Sequence, residues 1–276
     1  MRSSVEIYDM ATGTTRVVYQ TDDLVEAPNW SPDGTWLLIN GGGRLFRLPL
    51  ATGKPSEIDI GFADACNNDH GISPDGRWIY LSHHVQKAAT IYRVRIAGGI
   101  PEQVVSDVPS YWHGIAADGE IAYCARRGGA YDICVWQDGE RRLTGVAGPE
   151  GHNDGPDYSA DGAWIWFNSD RTGAAQIWRM RRDGSDTQQM VQSDTVDWFP
   201  HPSPDGAHVL YLAYPAGTLY HPRDLEVSLR MLPQDGGKSC EVLRLFGGQG
   251  TINVPCWAPD GSAFAFVRYA PKPESD

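Results

Sequence analysis

The sequence predicts an all-β protein, a six-bladed β-propeller with four-stranded antiparallel blades. Three observations predict it. A turn motif ending in Asp-Gly recurs six times at nearly even spacing. Each copy is followed by a short apolar run rich in Trp, Tyr, Ile and Val. The composition, with 31 Gly, 19 Pro and 10 Trp in 276 residues, suits short strands and tight turns rather than long helices.

The motif reads NWSPDG at 29–34, GISPDG at 71–76, GIAADG at 114–119, DYSADG at 157–162, HPSPDG at 201–206 and CWAPDG at 256–261. Successive Asp-Gly pairs lie 42, 43, 43, 44 and 55 residues apart. A period in the low forties is that of a four-strand propeller blade. Within each unit a short strand leads into the turn. A hydrophobic second strand follows, such as WLLIN, WIYLSH or WIWFN. A third strand comes next (RLFRLPL, IYRVRIA, QIWRMRR), then a Gly turn and a short polar fourth strand. Asp-Gly fits the tight turn because Gly accepts positive φ and the Asp carboxylate bonds nearby amides.

The sixth unit is two strands short, and VEIYDMATGTTRVVYQ at 5–20 has the missing third-strand, turn, fourth-strand grammar. The N-terminal strands are therefore expected to complete the last blade, which closes the ring and removes a sheet edge. Residues 1–276 then read as one propeller domain.

These in-phase x-P-D-G repeats resemble the WD40-like, or PD40, repeats of the TolB-like propeller family, across nearly the whole chain. The resemblance implies a six-bladed ring and a binding role, TolB itself being a periplasmic protein with protein partners. Similar blades occur in prolyl-oligopeptidase relatives and in oligogalacturonate lyases, which hold a histidine-bound metal at the channel. No G-x-S-x-G nucleophile elbow is present, so serine-peptidase chemistry is not expected.

A net charge of −12 and a pI near 5.0 argue against a nucleic-acid or anionic-membrane surface. No window holds 18 apolar residues, so no membrane insertion is expected. The start, MRSSVEIYDMATG, lacks an apolar core of signal-peptide length. That points to a cytoplasmic protein, or a periplasmic one whose signal has been removed. Five cysteines without a C-x-x-C pair read as small buried thiols.

In a propeller the innermost strands line a channel. The Asp-Gly turns lie on one face, here the turn face. The loops that lead into the innermost strands lie on the other, the loop face. Seven of the eight His map toward the loop face. His70 and His113 occupy equivalent positions in blades two and three, where the other blades have Pro28, Pro156, Pro200 and Pro255. His201 lies one residue further along its strand, His152 in the loop entering blade four, and His221 in a blade-five insertion at 212–231 that is expected to rim the mouth. Glu26, Asn68, Asp69, Trp112, Asp197, Trp198 and Asn253 join them as expected ligand-binding residues. Carboxylates, amides and flat aromatic faces together suit a sugar-like polar molecule. The expected function is thus binding of a small polar ligand or a protein partner at the channel mouth. The alternative is lyase or hydrolase chemistry on a carbohydrate, with His152, Asp154, Asp157 and His201 as the acid–base set. A divalent metal held by His70, His113 and His201 on three blades is a further expectation.

Overall fold

The computed structural model describes residues 1–86, 88–146 and 150–271. Among the described residues all regular structure is strand, arranged as six sheets. Five blades are four-stranded and antiparallel, with strands in sequence order. Their innermost strands are Glu26–Trp30, Cys66–Ile72, Ser110–Ile115, Asn153–Tyr158 and Val196–Pro202. In the sixth blade Arg2–Asp9 lies between Ala263–Ala270 and Thr14–Thr21, antiparallel to both. The N-terminus therefore closes the ring.

The inner segment of that blade is less regular than the sequence grammar suggests. A single bridge joins Trp257 to Phe264. Just before it, a turn is closed by Gly250 N–H donating to Asn253 Oδ1 at 2.6 Å. Backbone groups satisfied locally in this way are not available to a ladder.

The repeated turns explain their own sequence. In blade one Ser31 Oγ donates to Asp33 Oδ1 at 2.6 Å, and Thr35 N–H donates to the same oxygen at 3.0 Å. Blade four repeats this with Ser159, Asp161 and Ala163 at 2.6 and 3.0 Å. The following glycines, Gly34 and Gly162, sit at φ +72° and +67°, where a Cβ is strained.

The core lies between neighbouring blades. One cluster joins Trp36, Leu38 and Leu45 of blade one to Ile72, Ile79 and Leu81 of blade two. The Trp that opens the second strand is covered by Arg from the third: Arg47 over Trp36 at 4.2 Å, Arg95 over Trp78 at 3.9 Å, Arg181 over Trp164 at 3.8 Å. The guanidinium shields the indole where the blade meets solvent.

Every regular inner strand is bulged. The register breaks between Glu26 and Asn29, Cys66 and His70, Trp112 and Gly114, Asp154 and Asp157, and Trp198 and His201. In blades one, four and five a bulge residue has positive φ: Ala27 at 51°, Gly155 at 60° and Phe199 at 55°. A bulge re-aims the strand. In blade four it leaves Asp154 on the loop face and Asp157 on the turn face.

Candidate functional site

The channel is open at both ends and plugged between them. On the loop face a cavity of about 260 Å³ is lined by Asn67, Asp69, Tyr111, His113, Tyr131, His152, Asp154, Phe199, His221, Gln249 and Asn253. A larger cavity of about 550 Å³ opens on the turn face. Its walls include the turn prolines Pro32, Pro74, Pro204 and Pro259 with Trp30, Trp112 and Trp257. The larger space also has Asp118, Asp157, Asp161 and Arg182 in its walls but no histidine. The smaller one gathers His113, His152 and His221 with Asp69 and Asp154, and that chemistry rather than volume marks it as the candidate site.

Asp154 is its centre. His113 Nε2 lies 3.1 Å from Asp154 Oδ1. His152 Nε2 and His221 Nε2 lie 3.6 and 3.8 Å from Oδ2. Three blades thus aim imidazoles at one carboxylate. The bulge allows this: Gly155 takes φ +60°, its N–H donates to Asp154 Oδ1 at 2.8 Å, and Asp154 turns toward the mouth.

The protonation pattern follows from partners. His113 Nδ1 faces the Asn253 carbonyl at 3.3 Å while Nε2 faces Asp154. Both neighbours are acceptors, so the ring is best satisfied as imidazolium. Burial alone would lower its pKa; the bond to Asp154 and the charges of Asp69 and Asp154 raise it to about 8. Burial alone would raise Asp154, but His113 and His152 hold it well below the usual carboxylate range. His152 is likewise raised against its burial, by Asp154. Burial lowers His221, leaving it neutral at neutral pH. Asp69 is pushed up to about 6, by burial first and by its acidic neighbours Asp154 and Glu26.

A polar belt continues from the cavity. His221 Nδ1 bonds Gln249 Oε1. Asn253 Nδ2 donates to Gln249 Oε1 at 3.1 Å, and Gln249 Nε2 donates to Asn68 Oδ1 at 3.1 Å. Asn68 and Asn40 donate to the two Glu26 oxygens at 3.3 and 3.1 Å. His70 Nε2 meets Asn40 Oδ1 at 3.2 Å. Aromatic rings fix the imidazoles: the Trp198 and Phe199 centroids lie 4.5 and 5.1 Å from that of His221, and Tyr131 lies 5.0 Å from His152.

The chain has a close relative in Agrobacterium fabrum, an uncharacterized protein 50% identical over 274 residues, which are 98% of this chain and 94% of the relative. A TolB-like structure from Agrobacterium tumefaciens superposes with a TM-score of 0.95 at 50% identity, covering 98% of this chain and 99% of that one. The chain belongs to the TolB-like β-propeller family. The Tol-Pal system protein TolB of Francisella tularensis is 26% identical over 255 residues, 88% of this chain. The chain spans 56% of that TolB's length. An oligogalacturonate lyase solved with manganese shares only the fold, with a TM-score of 0.54 at 15% identity over 89% of this chain and 74% of that one. No family profile matches the chain.

This TolB-like propeller brings together Asp69, His113, His152, Asp154, His221 and Asn253 among the residues singled out from sequence. Glu26, Asn68 and His70 lie in the adjoining belt. Trp198 backs the His152 and His221 rings. Four expectations differ in placement. Asp157 lines the turn-face cavity, because the bulge reverses the strand between Asp154 and Asp157, and Trp112 of blade three lines the same cavity. His201 is buried in the plug, with Nδ1 3.0 Å from Asp157 Oδ2 and Nε2 2.6 Å from the Ile252 carbonyl. Asp197 is buried away from the mouth cavity, accepting from Ser193 Oγ at 2.8 Å and Thr195 Oγ1 at 2.7 Å, and its pKa is raised to about 6 by burial. His70, His113 and His201 do not converge as a metal triad: each has a separate partner, Asn40, Asp154 and Asp157.

Sequence reading missed Asn67, Cys124, Tyr131, Phe199 and Gln249. Gln249 had a usable signal, since GGQGTIN enters blade six as GHN enters blade four. Cys124 sits on a second strand, which no channel-lining argument would select.

The insertion supplies His221 to the mouth. Leu219 and Tyr220 beside it are 79% and 69% exposed, forming an outer rim. Its extra length also lengthens the outer strands, Arg223–Pro233 and Cys240–Gly248.

Proposed function

We propose that this TolB-like propeller is a binding protein whose loop-face cavity receives a polar group, from a small sugar-like molecule or from a side chain of a protein partner. The observation that carries the reading is the ring of His113, His152 and His221 around Asp154 in a cavity of about 260 Å³. Donors and acceptors face inward on every side, while Tyr111, Tyr131 and Phe199 offer apolar faces. Likeness to the Tol-Pal system protein TolB supports a protein partner and a periplasmic location over a cytoplasmic one. No helix among the described residues is long and apolar enough to cross a membrane.

The carbohydrate-enzyme alternative gains little support. The lyase likeness is of fold alone. His201 and Asp157, half of the expected acid–base set, pair with each other on the turn-face side, outside the cavity that holds His152 and Asp154.

A thermal-shift screen tests the binding reading. Neutral monosaccharides, uronic acids and short charged peptides are the probes. At least one class should raise the melting temperature, and the shift should vanish in Asp154→Asn and weaken in His221→Ala. Absence of any shift at millimolar probe, or a shift unchanged in both variants, would refute it.

A further inference from the structure

Cys124 offers a thiol beside Asp154 that the binding reading does not use. Cys124 Sγ, a ring nitrogen of His152 and a carboxylate oxygen of Asp154 all lie within 4.8 Å of one another. His221 Nε2 is a fourth donor, 3.8 Å from the Oδ2 that His152 Nε2 faces at 3.6 Å. Both contacts are too long for hydrogen bonds. A tetrahedral zinc ion with bonds of about 2.0–2.2 Å to nitrogen and oxygen holds those ligands about 3.3–3.6 Å apart. The His152 spacing of 3.6 Å matches that edge, and the His221 spacing of 3.8 Å is slightly longer.

Three of the donors are also prepared, while the Cys124 thiol donates to the Asn153 carbonyl at 3.3 Å, a bond that zinc binding would replace. His152 Nε2 is buried and without a hydrogen-bond partner, a cost in free energy unless something else engages it. His221 Nδ1 is taken by Gln249 Oε1, which leaves the Nε2 lone pair facing inward. Asp154 Oδ1 is held by His113 and the Gly155 N–H, which leaves Oδ2 for a ligand role. A thiolate, two imidazoles and one carboxylate form a borderline-soft set of the kind zinc prefers over calcium, magnesium or manganese.

We infer that Cys124, His152, Asp154 and His221 form a zinc site at the floor of the loop-face cavity. Binding forms one Zn–S, two Zn–N and one Zn–O contact. The Cys124 thiol proton, and any proton on His152, leave to solvent, and no group changes oxidation state. His113 keeps its bond to Oδ1 and acts as a positioning residue. The site differs from a triad of His70, His113 and His201 in every ligand. It stands apart from the polar-ligand reading, because metal is read directly and either result leaves the other open to its own test.

The test is zinc titration of the full chain after chelator treatment, in a Cys240→Ser background because Cys240 is an exposed free thiol. Calorimetry should give one zinc per chain with proton release. Cobalt in place of zinc should show a thiolate-to-metal charge-transfer band that Cys124→Ser abolishes. His152→Gln and His221→Gln should weaken zinc at least about tenfold, while His208→Gln, remote from the mouth, should leave it unchanged. Should Cys124→Ser fail to fold, His152→Gln decides, since that side chain is 21% exposed. No saturable zinc, or zinc retained by folded His152→Gln at full affinity, overturns the inference.

Discussion

His113 and Asp154 form a buried ion pair, Nε2 to Oδ1 at 3.1 Å, while the other His113 nitrogen meets the Asn253 carbonyl. One contact therefore ties blade three to blade four and also to the loop of blade six. It joins the structure of the ring to the electrostatics of the mouth.

The pair predicts a pH profile in metal-free protein. The His113 pKa rises from 6.5 to about 8 on folding. A raised pKa contributes stability that is complete below about pH 6.5 and is lost as pH rises through 8. The contribution is on the order of 2 kcal/mol. Urea denaturation between pH 6 and 9, with chelator present, should show this decline, and His113→Gln should flatten it.

His70 gives the opposite slope. Burial lowers its pKa from 6.5 to about 3. A depressed pKa contributes stability that is present above about pH 6.5 and is lost as pH falls toward 3. Acid unfolding should shift to lower pH in His70→Asn, measured by circular dichroism; an unchanged midpoint would show that His70 does not govern acid sensitivity.

Gly71 tests the packing of the plug. A Cβ there would lie 2.0 Å from the Trp112 ring, which is fully buried. Gly71→Ala should destabilise by about 3 kcal/mol or more. Adding Trp112→Leu should recover part of that loss, which a double-mutant cycle in urea would measure.

Ring closure is tested at Ile7, a buried residue on the N-terminal strand that pairs with Ala265. Ile7→Ala should cost about 2–5 kcal/mol. Exposed Val17, on the outer strand of the same blade, should tolerate Ala with a change within about 0.5 kcal/mol.

The repeat made the ring legible, because six Asp-Gly turns in phase leave little choice of architecture. The closing strands followed from the same count, and the register of Arg2–Asp9 against Ala263–Ala270 confirms them. The site was only partly legible. Asp154 and Asp157 are three residues apart, and a regular strand would point them to opposite faces of the sheet. Neither period nor propensity reveals the bulge at Gly155 that sends one to each end of the channel. His201 is absent from the mouth for a related reason, Phe199 taking positive φ just before it, whereas Asp197 is held by Ser193 and Thr195. Cys124 joins the mouth through tertiary contacts, and no local pattern marks it.

The most direct measurement is a histidine-ring NMR titration of metal-free wild type and Asp154→Asn. The expected result is that His113 and His152 both shift to lower pKa in the variant, His113 losing its titration near 8, while His70 does not move. Titrations of His113 and His152 that ignore the loss of Asp154 would contradict a carboxylate-centred mouth.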